Sequence, residues 1–355
     1  MIEPKAKIER FFQESLRHKA SDLHLIVGLP PYLRIDGQLR PLPEEKLLTV
    51  KELEAMVFSV CSQEQREAII TNLELDFSFD YQDKARFRIN AYHQKGTLAA
   101  AFRLIPREIK TIEKLNLPSI CHEFTKLKQG FILITGPTGH GKSTTIAAML
   151  NEINEQQSCH IITVEDPVEF SLESKKAIVS QRELNRDTHS WTLALRSCLR
   201  EDPNVVFIGE MRDLETISAA LTIAETGHLV FSTLHTNSAA QTVDRIVDVF
   251  PEGSKEQVRM QFSNVLEGVI SQRLVPAISG GRLPAVEVML GSTAIKTSIR
   301  DGKSHMIDNI IQTSSEIGMV NLETSLANLV NSGKISLEIA QAYALRPREL
   351  MRQTK

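Results

Sequence analysis

The segment GPTGHGKST, Gly136–Thr144, matches G-x-x-x-x-G-K-[ST], a spacing that lets a chain wrap around phosphate oxygens. Gly136, Gly139 and Gly141 permit backbone N–H groups to point inward, and the start of the following helix adds positive potential. Lys142 would neutralise β- and γ-phosphate charge, and the Ser143 hydroxyl could bind Mg²⁺. Pro137, Thr138, His140 and Thr144 complete the nucleotide-binding loop. His140 falls at a free position, where only its backbone need contribute and its side chain is expected to face solvent. The ligands implied are ATP and Mg²⁺.

Three further segments carry acids or imidazoles behind apolar runs: TVEDPVEF with Glu165 and Asp166, VVFIGEMRD with Glu210, and GHLVFSTLHT with His228 and His235. In VVFIGEMRD, Gly209 stands where most phosphate-loop enzymes place the aspartate that holds magnesium. Glu210 is then the candidate for orienting and deprotonating the attacking water. Magnesium takes oxygen ligands and keeps several waters, so Glu165 or Asp166 could hold it while Ser143 completes the site. The two histidines lack a third ligand for a metal. His235 is read as a phosphate or water sensor, and His228 as either a site residue or a buttress of the turn at Gly227. Transition-state charge also asks for a cation, for which ARFRIN and FRLIP offer Arg86, Arg88 and Arg103; the alternative is a set of surface arginines on an edge strand.

Positioning these groups requires strands that end side by side. FILIT, HIITV, VVFIG and LVFST are short, β-rich runs alternating with helical periodicity, the signature of βαβ units on a parallel sheet. Ligands of such sheets bind outside the carboxyl ends of the strands. Leu214, Ile217, Leu221 and Ala224 predict a helix stopping at Gly227, and Leu322, Leu326, Leu329 and Val330 predict another near the C-terminus. Before residue 105, Ile8, Phe11, Phe12 and Leu16 predict an amphipathic helix. SDLHLIV, YLRIDGQL, LELDFSFDY, ARFRINAYHQ and LAAAFRLI read as strands of a small mixed α/β domain. LIPREIKTIEKLNLP, with Pro106 and Pro118, reads as a connector, so residues 1–108 and 109–355 are expected to form separate domains.

The 355 residues suit two cores, and 42% hydrophobic with 24% charged residues argues against disorder. A formal net charge of -3 offers no basic field for nucleic acid. Four scattered cysteines form no C-x-x-C pair, which fits a reducing cytoplasm and suggests neither a zinc site nor a disulfide framework. No apolar run approaches the ~18 residues of a spanning helix, so any membrane contact is expected to be peripheral.

The chain resembles the secretion ATPases of the type IV pilus and type II secretion superfamily, and most closely the PilT family of pilus retraction ATPases. GPTGHGKSTT is similar to their Walker A segment, IITVEDPVEF to their Asp box, LREDPNVVFIGEMRD to their Walker B and TGHLVFSTLHTNSAAQTVDRI to their His box. The resemblance implies a PAS-like N-terminal α/β domain and a RecA-like ATPase domain assembled as a homohexamer. It implies Glu210 as the catalytic glutamate, Glu165 as a metal-site acid, His228 and His235 as the His-box pair, and nucleotide contact by arginines of ARFRIN and FRLIP. Such a ring would drive pilus retraction and twitching motility at the inner face of the cytoplasmic membrane, on an inner-membrane platform protein and alongside a paralogous ATPase. Assembly and secretion relatives usually carry paired C-x-x-C ligands, which this chain lacks. AIKTSIRDGK differs from the AIRNLIRE-like segment associated with retraction at Lys296 and Ser298. An accessory retraction paralogue or related secretion-system ATPase, acting as a nucleotide-dependent interaction module, is the alternative.

Overall fold

The structure is a computed structural model that describes residues 3–354 apart from 36, 44, 83, 106 and 107. Pro106, one of the two connector prolines, lies outside the described residues. The chain divides into two compact units, Met1–Glu108 with Glu169–Ser171, and Ile109–Val168 with Leu172–Lys355.

The first unit opens with the expected amphipathic helix, Pro4–Arg17, which starts on a proline and buries Ile8, Phe11 and Phe12 completely. Phe12 stacks on Phe87 with ring centroids 4.2 Å apart and meets Tyr81 and Phe102 at 5.5 Å. These rings face a six-stranded antiparallel sheet of β1 (Asp22–Ile26), β2 (Tyr32–Ile35), β3 (Gln38–Pro41), β4 (Glu74–Tyr81), β5 (Ala85–Gln94) and β6 (Thr97–Ile105). Its order is β3-β2-β1-β6-β5-β4. YLRIDGQL forms the hairpin of β2 and β3, with Gly37 at φ +80°, a left-handed conformation that glycine adopts without steric cost. Two helices that periodicity missed, Val50–Phe58 and Gln63–Asn72, each begin with a capping box, Thr49 with Glu52 and Ser62 with Gln65.

The second unit holds a seven-stranded sheet of β7 (Gly130–Thr135), β8 (His160–Glu165), β9 (Ile178–Glu183), β10 (Val205–Ile208), β11 (Leu229–Leu234), β12 (Leu266–Pro276) and β13 (Arg282–Leu290). The order is β13-β12-β7-β11-β10-β8-β9, and among these strands β13 alone runs antiparallel. Strand periodicity splits the apolar residues between two cores. Phe131, Leu133, Val206, Ile208 and Val230 face one, with helices Trp191–Cys198, Leu214–Glu225, Ala239–Asp248 and Lys255–Val265. Ile132, Ile134, Val205, Phe207 and Phe231 face the other, against the helix Lys142–Gln156. A sheet covered on both faces explains why β7, β8, β10 and β11 are near-continuous apolar runs. The C-terminal helix Leu322–Asn331 buries Leu322 and Leu326 in a smaller cluster with Val275, Ala285 and Leu350. The expected α/β class is therefore present in both units. Among the described residues, no helix is long and apolar enough to cross a membrane.

Candidate functional site

The phosphate-binding segment joins β7 to the helix Lys142–Gln156 at the carboxyl edge of the sheet. Gly136, Gly139 and Gly141 have φ of +139°, +79° and +83°, and a Cβ on Gly136 would lie 2.3 Å from the Gln272 carbonyl oxygen. Glycine at 136 is thus required twice, by conformation and by the strand beneath it. Lys142 is buried, and its ammonium donates to the Gly136 carbonyl at 2.8 Å and the Pro137 carbonyl at 3.1 Å. Ser143 and Thr144 occupy the first turn of the helix, both half-buried.

Strand register brings the acids to the same edge. Ile208 lies level with Val164 on β8 and Ser232 on β11, so Gly209, Glu165 and Thr233 form the next row. The Gly209 N–H donates to the Val164 carbonyl at 2.8 Å, and its carbonyl accepts from Thr233 Oγ1 at 2.6 Å. A Cβ on Gly209 would meet Glu165 Cα at 3.3 Å, the Val164 carbonyl oxygen at 3.4 Å and Trp191 Cη2 at 3.6 Å. An aspartate there would have to press into the end of β8. Glu165 is buried at that end, its Oε1 accepting from Thr163 Oγ1 at 2.7 Å and Gln181 Nε2 at 3.2 Å, whereas Asp166 is exposed.

Glu210, Arg212, His235 and Lys142 form a chain of contacts. One Glu210 oxygen pairs with the Arg212 guanidinium, and the other lies 3.4 Å from His235 Nε2. His235 Nδ1 lies 3.4 Å from Lys142 Nζ and 3.3 Å from Thr138 Oγ1. An ammonium can only donate, so Nδ1 is the acceptor and the ring proton sits on Nε2, facing Glu210. The arrangement places one imidazole between the Lys142 ammonium and the Glu210 carboxylate. Arg212 went unnoticed in the sequence although it stands two positions after Glu210 in GEMRD.

His140 overturns one expectation. Its side chain is half-buried instead of facing solvent, and its Nδ1 accepts the Leu274 backbone N–H of β12 at 2.9 Å. Burial lowers its pKa, with help from the nearby charges of Arg273, Arg282 and Lys142. Gln272 Nε2 donates to the His140 carbonyl at 2.9 Å while its Oε1 accepts from Thr145 Oγ1 at 2.8 Å, and Arg282 donates to the Gly139 carbonyl at 3.2 Å. Nothing in the local sequence announces these partners, because they come from a hairpin more than a hundred residues away.

His228 takes the buttressing place that its sequence also allows. It stands ahead of β11, at the opposite end of that strand from His235, roughly 20 Å away at the rise of an extended strand. Within the chain its Nδ1 contacts the Ile223 carbonyl and Thr226 Oγ1, both at 3.0 Å. It buttresses the turn at Gly227 and does not join the phosphate loop.

The three arginines belong to the first unit. Arg86 is nearly buried, donating to both Asp80 oxygens at 3.2 Å and to Ser78 Oγ at 2.8 Å. Arg103 donates to Asp22 at 3.0 Å, and Arg88 reaches Asp76 only at 4.0 Å. Arg88 and Arg103 are direct cross-strand partners, a like-charge juxtaposition that costs stability in a bare sheet. For magnesium, the oxygen donors expected from the sequence are the Ser143 hydroxyl in the first turn of the helix Lys142–Gln156 and the Glu165 carboxylate at the end of β8, both hard oxygens. Among the described residues there is no cluster of three or more His, Cys, Asp or Glu fit to hold a metal. That donor set suits an ion that keeps waters and phosphate oxygens as ligands, and not one held in an all-protein cage.

The family described as type II/IV secretion system protein matches residues 3–309. The type IV pilus retraction ATPase PilT of Pseudomonas aeruginosa is 48% identical over 333 residues, covering 94% of this chain and 96% of that protein. The type IV pilus ATPase PilU of the same organism is 35% identical, covering 95% of this chain and 88% of that protein. A crystal structure of the pilus retraction motor PilT with bound ADP superposes with a TM-score of 0.90 at 46% identity, covering 97% of this chain and 99% of that one. With the phosphate loop and the acids already placed at one sheet edge, these matches identify an ATPase, and the chain belongs to the type II/IV secretion ATPase family, among its PilT-type retraction ATPases.

Proposed function

We propose that this chain hydrolyses ATP to power retraction of a type IV pilus, as a homohexameric ring acting on a platform protein at the inner face of the cytoplasmic membrane. The observation that carries the chemistry is the run of contacts from Lys142 through His235 to Glu210 at the carboxyl ends of parallel strands. The likeness to PilT carries the biological task.

In this reading residues 1–108 form the PAS-like domain and residues 109–355 the RecA-like ATPase domain. The loop Gly136–Thr144 holds the phosphates by backbone N–H groups, and Lys142 leaves its own carbonyls for the β/γ-phosphates. Glu210 accepts a proton from the attacking water, and His235, with its Nε2 proton toward Glu210, senses whether the lysine is engaged. Ser143 and Glu165 would hold Mg²⁺, which neutralises charge on the phosphate oxygens when bound. The positive charge of Arg86, Arg88 and Arg103 stabilises the γ-phosphate in the assembled ring.

Deleting the gene and complementing with wild type or Glu210→Gln tests the proposal. Pili should accumulate unretracted in the deletion strain, recover with wild type and fail to recover with Glu210→Gln. Normal retraction in the deletion strain would refute the motor role.

A further inference from the structure

We infer that His140 is a positioning residue for the phosphate loop: its Nδ1 lone pair, taking the Leu274 backbone N–H, latches the loop tip to β12. The inference rests on the reading of this loop as the nucleotide site. The latch follows from how the two strands end. β12 pairs with β7 only as far as Ser271 against Thr135, because β7 there gives way to the loop while β12 continues to Pro276. The edge of β12 beyond Ser271 has therefore lost its partner strand, and a half-buried backbone N–H needs an acceptor. At Leu274 a side chain from the loop supplies it. The same edge grips the loop at two more points, through Gln272 Nε2 on the His140 carbonyl and through the Gln272 carbonyl packed under Gly136.

An imidazole serves as such an acceptor only while neutral, since both nitrogens of the cation are donors. Protonation would set an N–H of the ring against the N–H of Leu274. It would also place a positive ring beside Lys142 at the helix start, Arg273 on β12 and Arg282 on β13, the charges that face it. A further neighbour is Tyr343 of the helix Leu337–Tyr343, whose ring meets the imidazole edge-on with centroids 6.4 Å apart and offers no counter-charge. Acid thus unlatches the loop tip from β12, on the flank away from Glu210. The affinity for nucleotide falls, and the rate of the bound complex is affected less.

The test is steady-state ATP hydrolysis by the full-length protein from pH 5.5 to 8, with ADP binding measured directly, for wild type, His140→Asn and His140→Ala. Wild-type KM should rise by about 3-fold toward pH 5.5, with the ADP dissociation constant following it. His140→Asn, whose amide oxygen can take the place of Nδ1 and does not titrate, should keep the low KM of pH 8 and lose the acid slope. His140→Ala should show a raised KM at every pH and no slope. Overturning results are an acid slope retained by both variants, or equal KM values for Asn and Ala at pH 8. Failure of wild type to bind ADP at any pH would remove the nucleotide site itself and this role with it, an outcome distinct from the first two.

Discussion

On its β11 side the phosphate loop meets side chains that carry charge: Lys142, His235 and Glu210 approach one another at 3.4 Å, and His235 is about half exposed. On its β12 side the loop and the helix start meet backbone and a buried amide, through bonds of 2.8 to 2.9 Å that join Gln272 and Leu274 to His140 and Thr145. Long contacts between ionisable groups can be exchanged when a phosphate arrives, because little is lost in leaving them. Short bonds that satisfy buried polar groups resist exchange, since breaking one strands its partner. One flank is arranged for chemistry that changes state, and the other for a position that does not.

If that division holds, damage to each flank should fail in its own way. Glu210→Gln should cut kcat by about 100-fold or more while the ADP dissociation constant measured by calorimetry stays within about 2-fold. An unchanged kcat would take Glu210 out of the chemical flank. Glu287 on β13 probes the stability of the other flank. Burial pushes its pKa up to about 7, Asp308 and Glu323 add to the rise, and the Ala239 N–H and Arg346 oppose it. The folded protein therefore holds a proton that the unfolded chain releases near 4.5. Stability from this group is full below that value and is lost as pH rises through about 7. Glu287→Gln should flatten the decline in Tm between pH 5 and 8, raising Tm at pH 8 by roughly 4 °C or more.

Gln272→Leu should raise the KM for ATP by about 10-fold and leave kcat close to wild type, because it frees the loop without touching Glu210. A fall in kcat to match would show that the two flanks act as one. The smallest effect is expected from His228→Ala, which lies at the far end of β11 and should alter kcat and KM by less than about 2-fold while lowering stability by about 1 kcal/mol. A large loss of turnover would show that His228 acts on the site by a route outside this arrangement.

What could be read in the residues follows the same division. β7, β8, β10 and β11 were legible because strands buried on both faces are short apolar runs with glycine or polar ends. The acids and His235 follow directly on those runs, so their convergence could be argued from sheet topology alone. β9, β12 and β13 went unread. IVSQRE is mostly polar, and β12 and β13 enclose Gln272 and Glu287, buried polar residues whose partners lie far along the chain. The expected solvent-facing side chain of His140 failed for the same reason: its hydrogen-bond donor is 134 positions away. His228 is open to two readings in the sequence, since its place in a histidine-bearing segment hides the fact that a strand carries its two ends to opposite sides of a domain.

The close approach at Gly209 has an optical consequence. The ring that closes over this glycine beside Glu165 belongs to Trp191, the one tryptophan in the chain. Its indole is half-buried and stands within one residue of Glu210 on β10's extension. A protein with a single tryptophan so placed carries its own fluorescent reporter, and the indole emission is expected to respond to the filling and emptying of the site without any label.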